Sequence, residues 1–466
     1  MLFYLKMTLI YTGLGLFVLF FFGLCILVHE WGHLRAALWR GLHVERFSIG
    51  FGKKLFSFTR GGVEYCVSIL PFGGYVALPQ LEPVETPTTA AGVALPPAKP
   101  WDRILTALAG PLGNIVFGFL LAAVVWYVGV ERPAPMSYCD VISVEKSSPE
   151  YRAGLRPGDR IIAVNGKQFE HGWQELSQRI MLASDRVTLR VRRGRKVLDI
   201  RYKPAPNPKY DGIGYPFFEV RMPTVVAGLV PGYPARAAGV KTGDNLLAVN
   251  GKEVASPAEF VRAINATGGK PFDLAVERGG RRLVIHGLRA RADQVDGKTV
   301  YRIGVRIDTP MVLAHPTPWR QFVRVFDQTS RVLHLLFVRT SLVRPKHLSG
   351  PVGIAEAIAA KIFIGGLRAG LSFIVYVSFG LALVNLIPIP VLDGGHIVFG
   401  LVELIIRRRP PVRLVYWLQN AFAILLITFM LYVTYYDVRR LPRFLRLFKP
   451  AHPTEQAAQP ETGRAP

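Results

Sequence analysis

His29-Glu30-Trp31-Gly32-His33 is the run in this chain best suited to chemistry. On a helix, residues four apart share a face, so the two imidazoles can bind one zinc ion while Glu30 reaches a water held on it. A catalytic zinc needs a third protein ligand and one position left for water. The candidate is Asp393, in Asn385-Leu386-Ile387-Pro388-Ile389-Pro390-Val391-Leu392-Asp393-Gly394-Gly395-His396. Two prolines two residues apart cannot sit inside a regular helix, so the chain is expected to unwind just before that acid. His396 is a rival ligand that nothing in the spacing favours. The chemistry such a set can do is hydrolysis by an activated water, with Glu30 as base. No serine or cysteine nucleophile lies within either motif, so no acyl-enzyme is expected.

The elements that must position these residues are read from hydropathy. Of 466 residues 19% are charged, below the quarter usual in a soluble domain, and mean hydropathy is +0.27. A bilayer core needs about 20 apolar residues in a helix. Four uncharged runs qualify: Met7 to Val28, Ile104 to Val130, Ala369 to Leu392 and Leu414 to Tyr436. The first is too long for a signal core and has no A-x-A cleavage site after it, so it is expected to stay as an anchor. Between the second and third runs, 131–310 is of mixed polarity and large enough for one or two soluble domains. Composition therefore excludes both a purely soluble enzyme and a purely membrane-embedded channel. His29, Glu30 and His33 close the first run and Asp393 follows the third. Ionisable groups at membrane depth are costly and functional by default, and irregular backbone is tolerated there only where it lines a cavity.

Charge sets orientation and limits partners. Arg407, Arg408, Arg409 and Arg413, between the third and fourth runs, place that loop in the cytoplasm, and Arg35 and Arg40 agree. Both termini and 131–310 then lie outside, although Arg439, Arg440, Arg443, Arg446 and Lys449 pull the other way. The net charge of +25 could suggest nucleic acid, but the 30 basic and 19 acidic residues of 131–310 are interspersed and no nucleic-acid motif accompanies them. Anionic lipid headgroups are the better match. Cys25, Cys66 and Cys139 form neither a zinc spacing nor a disulfide framework.

Val44 to Val76 alternates short apolar runs with glycines, the pattern of a small sheet near the membrane surface. Six prolines within 79–100 predict an extended, flexible linker. The segments AGLRPGDRIIAVNG (153–166) and AGVKTGDNLLAVNG (238–251) lie 85 residues apart and agree at eight of fourteen positions, which predicts two homologous modules. Pro318 to Val343 mixes apolar and basic residues at helical spacing, as an interfacial helix would or an ordinary amphipathic one. Residues beyond 450 have the composition of a disordered tail.

Each copy of the repeat resembles the PDZ domain in a circularly permuted form. The resemblance implies carboxylate-binding loops near Ile303-Gly304-Val305 and Ile213-Gly214. H-E-x-x-H ending a first span and N-x-x-P-x-P-x-L-D-G ending a later one resemble the site-2 protease family of intramembrane zinc metalloproteases, in particular its Gram-negative members with two PDZ domains. The resemblance implies a multi-pass fold: four transmembrane helices, a small membrane-associated β-sheet and two PDZ-like α+β domains. It implies zinc ligands at His29, His33 and Asp393 and a base at Glu30. Asn385 matches the family residue that helps hold substrate, and Asn114, in Gly110-Pro111-Leu112-Gly113-Asn114, matches its G-x-x-x-N element and is expected with Asn385 in substrate binding, although a small-residue face for helix packing explains that element nearly as well. Clients would be single-span membrane proteins such as anti-sigma factors and remnant signal peptides, in a bacterial inner membrane with the site toward the cytoplasm.

The segments expected are 1–130, a first catalytic half; 131–222 and 223–310, the two modules; 311–348, the interfacial helix; 349–445, a second catalytic half; and 446–466, the tail. A membrane-anchored scaffold in which only the modules work is the alternative from another class, and it should tolerate Glu30→Gln. A zinc transporter would carry charges within its spans, and a peripheral zincin would need its motif on a hydrophilic helix, unlike Leu24 to Val28.

Overall fold

A computed structural model describes residues 2–448 except 184, 209–211, 296–297, 309, 339–340 and 343. The tail expected from 446 is helical to Phe448, and its remainder lies outside the described residues. The chain divides into two compact units. One holds the chain up to Glu131, Leu313–Arg331 and Pro345–Leu447; the other holds Arg132–Val312 and Val332–Arg344.

In the first unit, helix α1 (Leu2–Trp39) contains the whole first apolar run and continues past the H-E-x-x-H residues. It ends in a Schellman turn: Gly41 has φ 70°, its N–H donates to the Leu38 carbonyl, and Leu42 N–H donates to that of Ala37 at 2.9 Å. Hairpin strands β1 (Arg46–Arg60) and β2 (Val63–Ala77) follow. Their pairing is not a simple ladder. Arg46–Ile49 pairs with Glu64–Val67 on one side and Gly74–Ala77 on the other, and Phe56–Arg60 pairs with Val63–Val67. Bends at Gly50, Gly52 and Gly73, all with positive φ, thus fold two strands into four short segments with 56–60 and 74–77 as the edges. One side packs on α1 through Leu34, Ala37, Phe47 and Val63, whereas Phe51, Leu55, Phe56, Phe58, Ile69 and Leu70 are exposed.

The proline-rich stretch after the sheet is tied down more firmly than a flexible linker. Gln80 is buried, accepts from His43 N–H at 2.7 Å and donates to the Pro96 carbonyl at 2.6 Å. Proline removes backbone donors, so a side-chain amide supplies the missing bonds. Helix α2 (Pro100–Val128) starts with proline in its first turn and Asp102, which Arg40 grips at 2.7 Å from the end of α1. Helix α3 (Pro318–Phe337) buries Val325 beside Ala122 and Phe379, and Gln321 donates to the Ala122 carbonyl at 2.9 Å. Its Trp319 and Phe326 stay exposed.

Helix α4 (Pro351–Asn385) is broken at Gly366 (φ 68°, ψ −171°). Its start is capped from far along the chain: buried Asp437 accepts the N–H groups of Gly350 and Gly353, each at 2.9 Å. After Asn385 the backbone leaves the helix for seven residues, as the two prolines require, and helix α5 (Asp393–Ile406) begins at the acid. Helix α6 (Val412–Phe448) completes the unit. Among the described residues three helices are long and apolar enough to cross a membrane: α2, Gly365–Asn385 of α4 and Val412–Leu441 of α6.

The second unit carries the repeat. One five-stranded path runs 196–202, 187–193, 160–164, 139–144, 218–220; another runs 281–288, 272–278, 245–249, 225–229, 305–308. The order is the same, and each sheet has its own apolar core, around Leu155, Ile161 and Leu189 in one and Val240, Leu246 and Leu274 in the other. The polar braces repeat as well. Asp159 takes Arg193 at 2.6 and 2.8 Å, and 85 residues on Asp244 takes Arg278 at 2.7 and 2.8 Å. Burial pushes the Asp244 carboxyl up, but the Arg278 guanidinium and the Lys241 N–H outweigh it and hold it below the usual carboxylate range. Asn165 and Asn250 both adopt positive φ, 49° and 50°, at the turn that closes the motif. Cys25, Cys66 and Cys139 are free and buried.

Candidate metal centre

Two close approaches bring α1 and α2 together at the H-E-x-x-H residues. A β-carbon at Gly32 would stand 2.3 Å from the Ala109 carbonyl oxygen, and one at Gly110 would stand 2.2 Å from His33 Nε2. Only glycine lets the helices meet here, and His33 lies across the bare backbone at Gly110. Gly110→Ala is therefore expected to displace the His33 ring and weaken zinc affinity by about 10–100-fold, on the scale of a lost supporting contact. Competition with a chromophoric chelator measures it; an affinity equal to the parent protein's would show that the ring relocates without cost.

Asp393 reaches the same place from the far end of the chain. Gly394 and Gly395 follow it, and β-carbons there would stand 2.2 Å from the Ile387 carbonyl oxygen and 2.3 Å from that of Ile389. The glycine pair lets the first turn of α5 nest against the proline-broken segment. Its N-terminal dipole suits the carboxylate. His29 Nε2 lies 3.2 Å from Asp393 Oδ2, His33 Nε2 lies 3.3 Å from Asp393 Oδ1, and the two Nε2 atoms are 3.3 Å apart. In a tetrahedron whose bonds are about 2.0–2.1 Å, ligand atoms are about 3.3 Å apart. The two imidazole nitrogens thus already have that spacing, each has an Asp393 oxygen at the same distance, and with one oxygen taken for the carboxylate the three ligand atoms lie within 4.8 Å of one another. Asp393 Oδ2 is buried with no hydrogen-bond partner among the described residues, as an atom awaiting a cation would be.

The remaining ring nitrogens face supports. His33 Nδ1 lies 2.7 Å from the Thr106 carbonyl oxygen, and His29 Nδ1 lies 3.5 Å from Asn114 Nδ2. This leaves both Nε2 atoms pointing at Asp393. Of the other expected residues, Asn385 is half-buried with Nδ2 3.4 Å from His29 Nε2, and Asn114 is fully buried, against the other nitrogen of the same ring. His396 is not among the ligand atoms brought together. Glu30 lies on α1 against the sheet: a β-carbon at Gly74 would be 2.9 Å from Glu30 Cγ and 2.8 Å from the Ser48 carbonyl oxygen. The nearest edge of the sheet, Gly74–Ala77, therefore runs beside the carboxylate expected to act as base.

Sequence reasoning did not single out Thr106 or Gly74. The first contributes only a backbone carbonyl and the second only the absence of a side chain, and neither has a motif. A further brace joins α2 to α5: Glu403, buried near the end of α5, lies 3.3 Å from Arg103 and 3.1 Å from Arg409. Arg103 and Thr106 are one turn apart, so the first turns of α2 hold both His33 and the helix that carries Asp393.

The model of Peptidase family M50 matches residues 17–429. A candidate zinc metalloprotease of Neisseria meningitidis is 32% identical over 451 residues, which are 91% of this chain and 98% of that protein. A candidate zinc metalloprotease of Vibrio cholerae is 28% identical over 84% of this chain and 90% of its own length. The regulator of sigma-E protease of Salmonella typhimurium is 29% identical over 82% of this chain and 88% of its own length. The family match takes in both the H-E-x-x-H residues and the proline-broken segment with its acid, and on it the chain belongs to Peptidase family M50.

Proposed function

We propose that the protein is an intramembrane zinc metalloprotease that cuts single-span membrane proteins within or near their spans. The observation that carries this reading is the cluster of His29 Nε2, His33 Nε2 and the Asp393 carboxylate, the two nitrogens 3.3 Å apart and each 3.2–3.3 Å from a different carboxylate oxygen, formed where an apolar helix meets a proline-broken one. His29, His33 and Asp393 hold the ion. When bound, zinc polarises the scissile carbonyl and brings the pKa of water toward 7. Glu30 takes the proton of the attacking water and returns it to the leaving amine. Asn385, half-buried beside His29, positions the substrate carbonyl. Peptide bonds in a helix are already hydrogen-bonded, so the substrate must be extended first, and the edge Gly74–Ala77 receives it by β-addition.

α1, α2, α4 and α6 are the four spans of this reading, and the exposed apolar side of the β1–β2 sheet lies in the membrane surface. The catalytic halves are 1–130 and 349–445, and the segment 311–348 carries the interfacial helix, α3, with Trp319 and Phe326 toward lipid. The modules at 131–222 and 223–310 are PDZ-like domains outside a bacterial inner membrane, with the termini on the same side and the site toward the cytoplasm. Anti-sigma factors and remnant signal peptides are the clients that this arrangement suits, the modules admitting spans already trimmed on their outer side.

The test is incubation of the detergent-purified protein with a single-span substrate. Cleavage is expected to stop with a zinc chelator and to return when zinc is restored. Cleavage that survives complete removal of the metal would count against the proposal.

A further inference from the structure

Behind the metal centre lies a polar side chain with no exposed surface. Asn114, on α2, is 0% exposed, and its Oδ1 has no hydrogen-bond partner among the described residues. Its Nδ2 points at His29 Nδ1, 3.5 Å away. Its backbone is held in place, because Ser378 Oγ of α4 donates to the Asn114 carbonyl at 2.9 Å. The unmet oxygen and the long contact have one remedy. The nitrogen and oxygen of a carboxamide are assigned from the hydrogen-bond network, and a half-turn exchanges them. The oxygen then faces His29 Nδ1.

The metal centre requires such an acceptor. An imidazole that gives Nε2 to a cation carries its proton on Nδ1 and donates it to an oxygen, which fixes both tautomer and ring orientation. For His33 that oxygen is the Thr106 carbonyl at 2.7 Å. For His29 the one hydrogen-bonding contact to Nδ1 among the described residues is with the Asn114 carboxamide. We propose that Asn114 is a positioning residue: its Oδ1 accepts the Nδ1–H of His29 and holds Nε2 toward the ion. This rests on the zinc reading above and replaces the substrate contact expected from the motif, since a group with no exposed surface cannot meet a substrate.

The two roles separate in the purified full-length protein. Zinc affinity is measured by chelator competition, and KM is measured separately at saturating zinc. Asn114→Leu, which keeps bulk but has no acceptor, is expected to bind zinc about 10–100-fold more weakly with KM unchanged. Asn114→Asp, which keeps an oxygen at the same place, is expected to bind zinc at least as tightly as the parent. Asn114→Ala serves as the acceptor-free variant should the leucine fail to fold. Parental zinc affinity in the acceptor-free protein together with a raised KM would overturn the proposal in favour of substrate contact. Equal weakening in the aspartate and acceptor-free variants would overturn it in favour of packing. His29→Ala separates the two levels of the argument: if it binds zinc like the parent, the metal centre itself is misassigned, and the proposal falls with it.

Discussion

Glu30→Gln is expected to leave the protein folded and loaded with zinc while lowering kcat by about 10²–10⁴-fold, the usual contribution of a positioned general base. The substitution is isosteric, and Glu30 is not one of the three residues whose ligand atoms come together, so the donor set stays intact. What would be lost is the group proposed to take the proton of the attacking water. KM should change little, because the neighbouring sheet edge is formed by backbone that the amide does not alter. Single-turnover cleavage of a single-span substrate gives the rate, and metal analysis of the same sample gives the zinc content. A protein that keeps its full rate would be the anchored scaffold, or would draw its base from elsewhere.

Asp393→Asn is expected to fail in the opposite way, losing metal first. The carboxylate supplies the only formal negative charge among the three donors, and its two oxygens separately approach the two imidazoles. An amide of the same shape keeps one neutral oxygen and turns an N–H₂ toward Nε2 atoms that should face a cation. Zinc affinity should fall by more than the roughly 10–100-fold that an outer supporting contact costs, and cleavage should fall with it at limiting zinc. Excess zinc should restore part of the rate, which it cannot do for Glu30→Gln. The pair of variants thus divides holding the ion from moving the proton. Zinc retained at parental affinity in Asp393→Asn would remove Asp393 from the ligand set.

The parts of this arrangement that are legible in the sequence are those that side-chain type and spacing encode. H-E-x-x-H needs only the four-residue period of a helix, and the unwinding before Asp393 follows from two prolines that no helix can hold. The repeat is visible because buried Asp159 and Asp244 each need an arginine, and both copies keep the glycines and asparagine that shape the turn. Other parts depend on backbone or on absent atoms. Thr106 serves through its carbonyl, and Gly110 and Gly74 serve by offering no β-carbon. The sheet at 46–77 reads as short strands, but its four-segment order depends on where Gly50, Gly52 and Gly73 turn the chain, and alternation alone does not give it. Gln80 stands within a proline-rich run that reads as loose, and only the folded chain shows that its amide ties both ends together.

The shortness of the edge Gly74–Ala77 has a mechanical consequence. Four residues of α-helix occupy about 6 Å, and the same four in an extended strand occupy about 13 Å. A client drawn onto that edge would therefore lengthen by about 7 Å, and that extra length has to be taken up somewhere. A span moored by bulky folded portions at both faces of the bilayer has no room for it, whereas one cut free on its outer side can shift along its axis and take it up. On this footing, prior clipping of the client would act as the release of a tether, in addition to whatever the outer modules exclude by size.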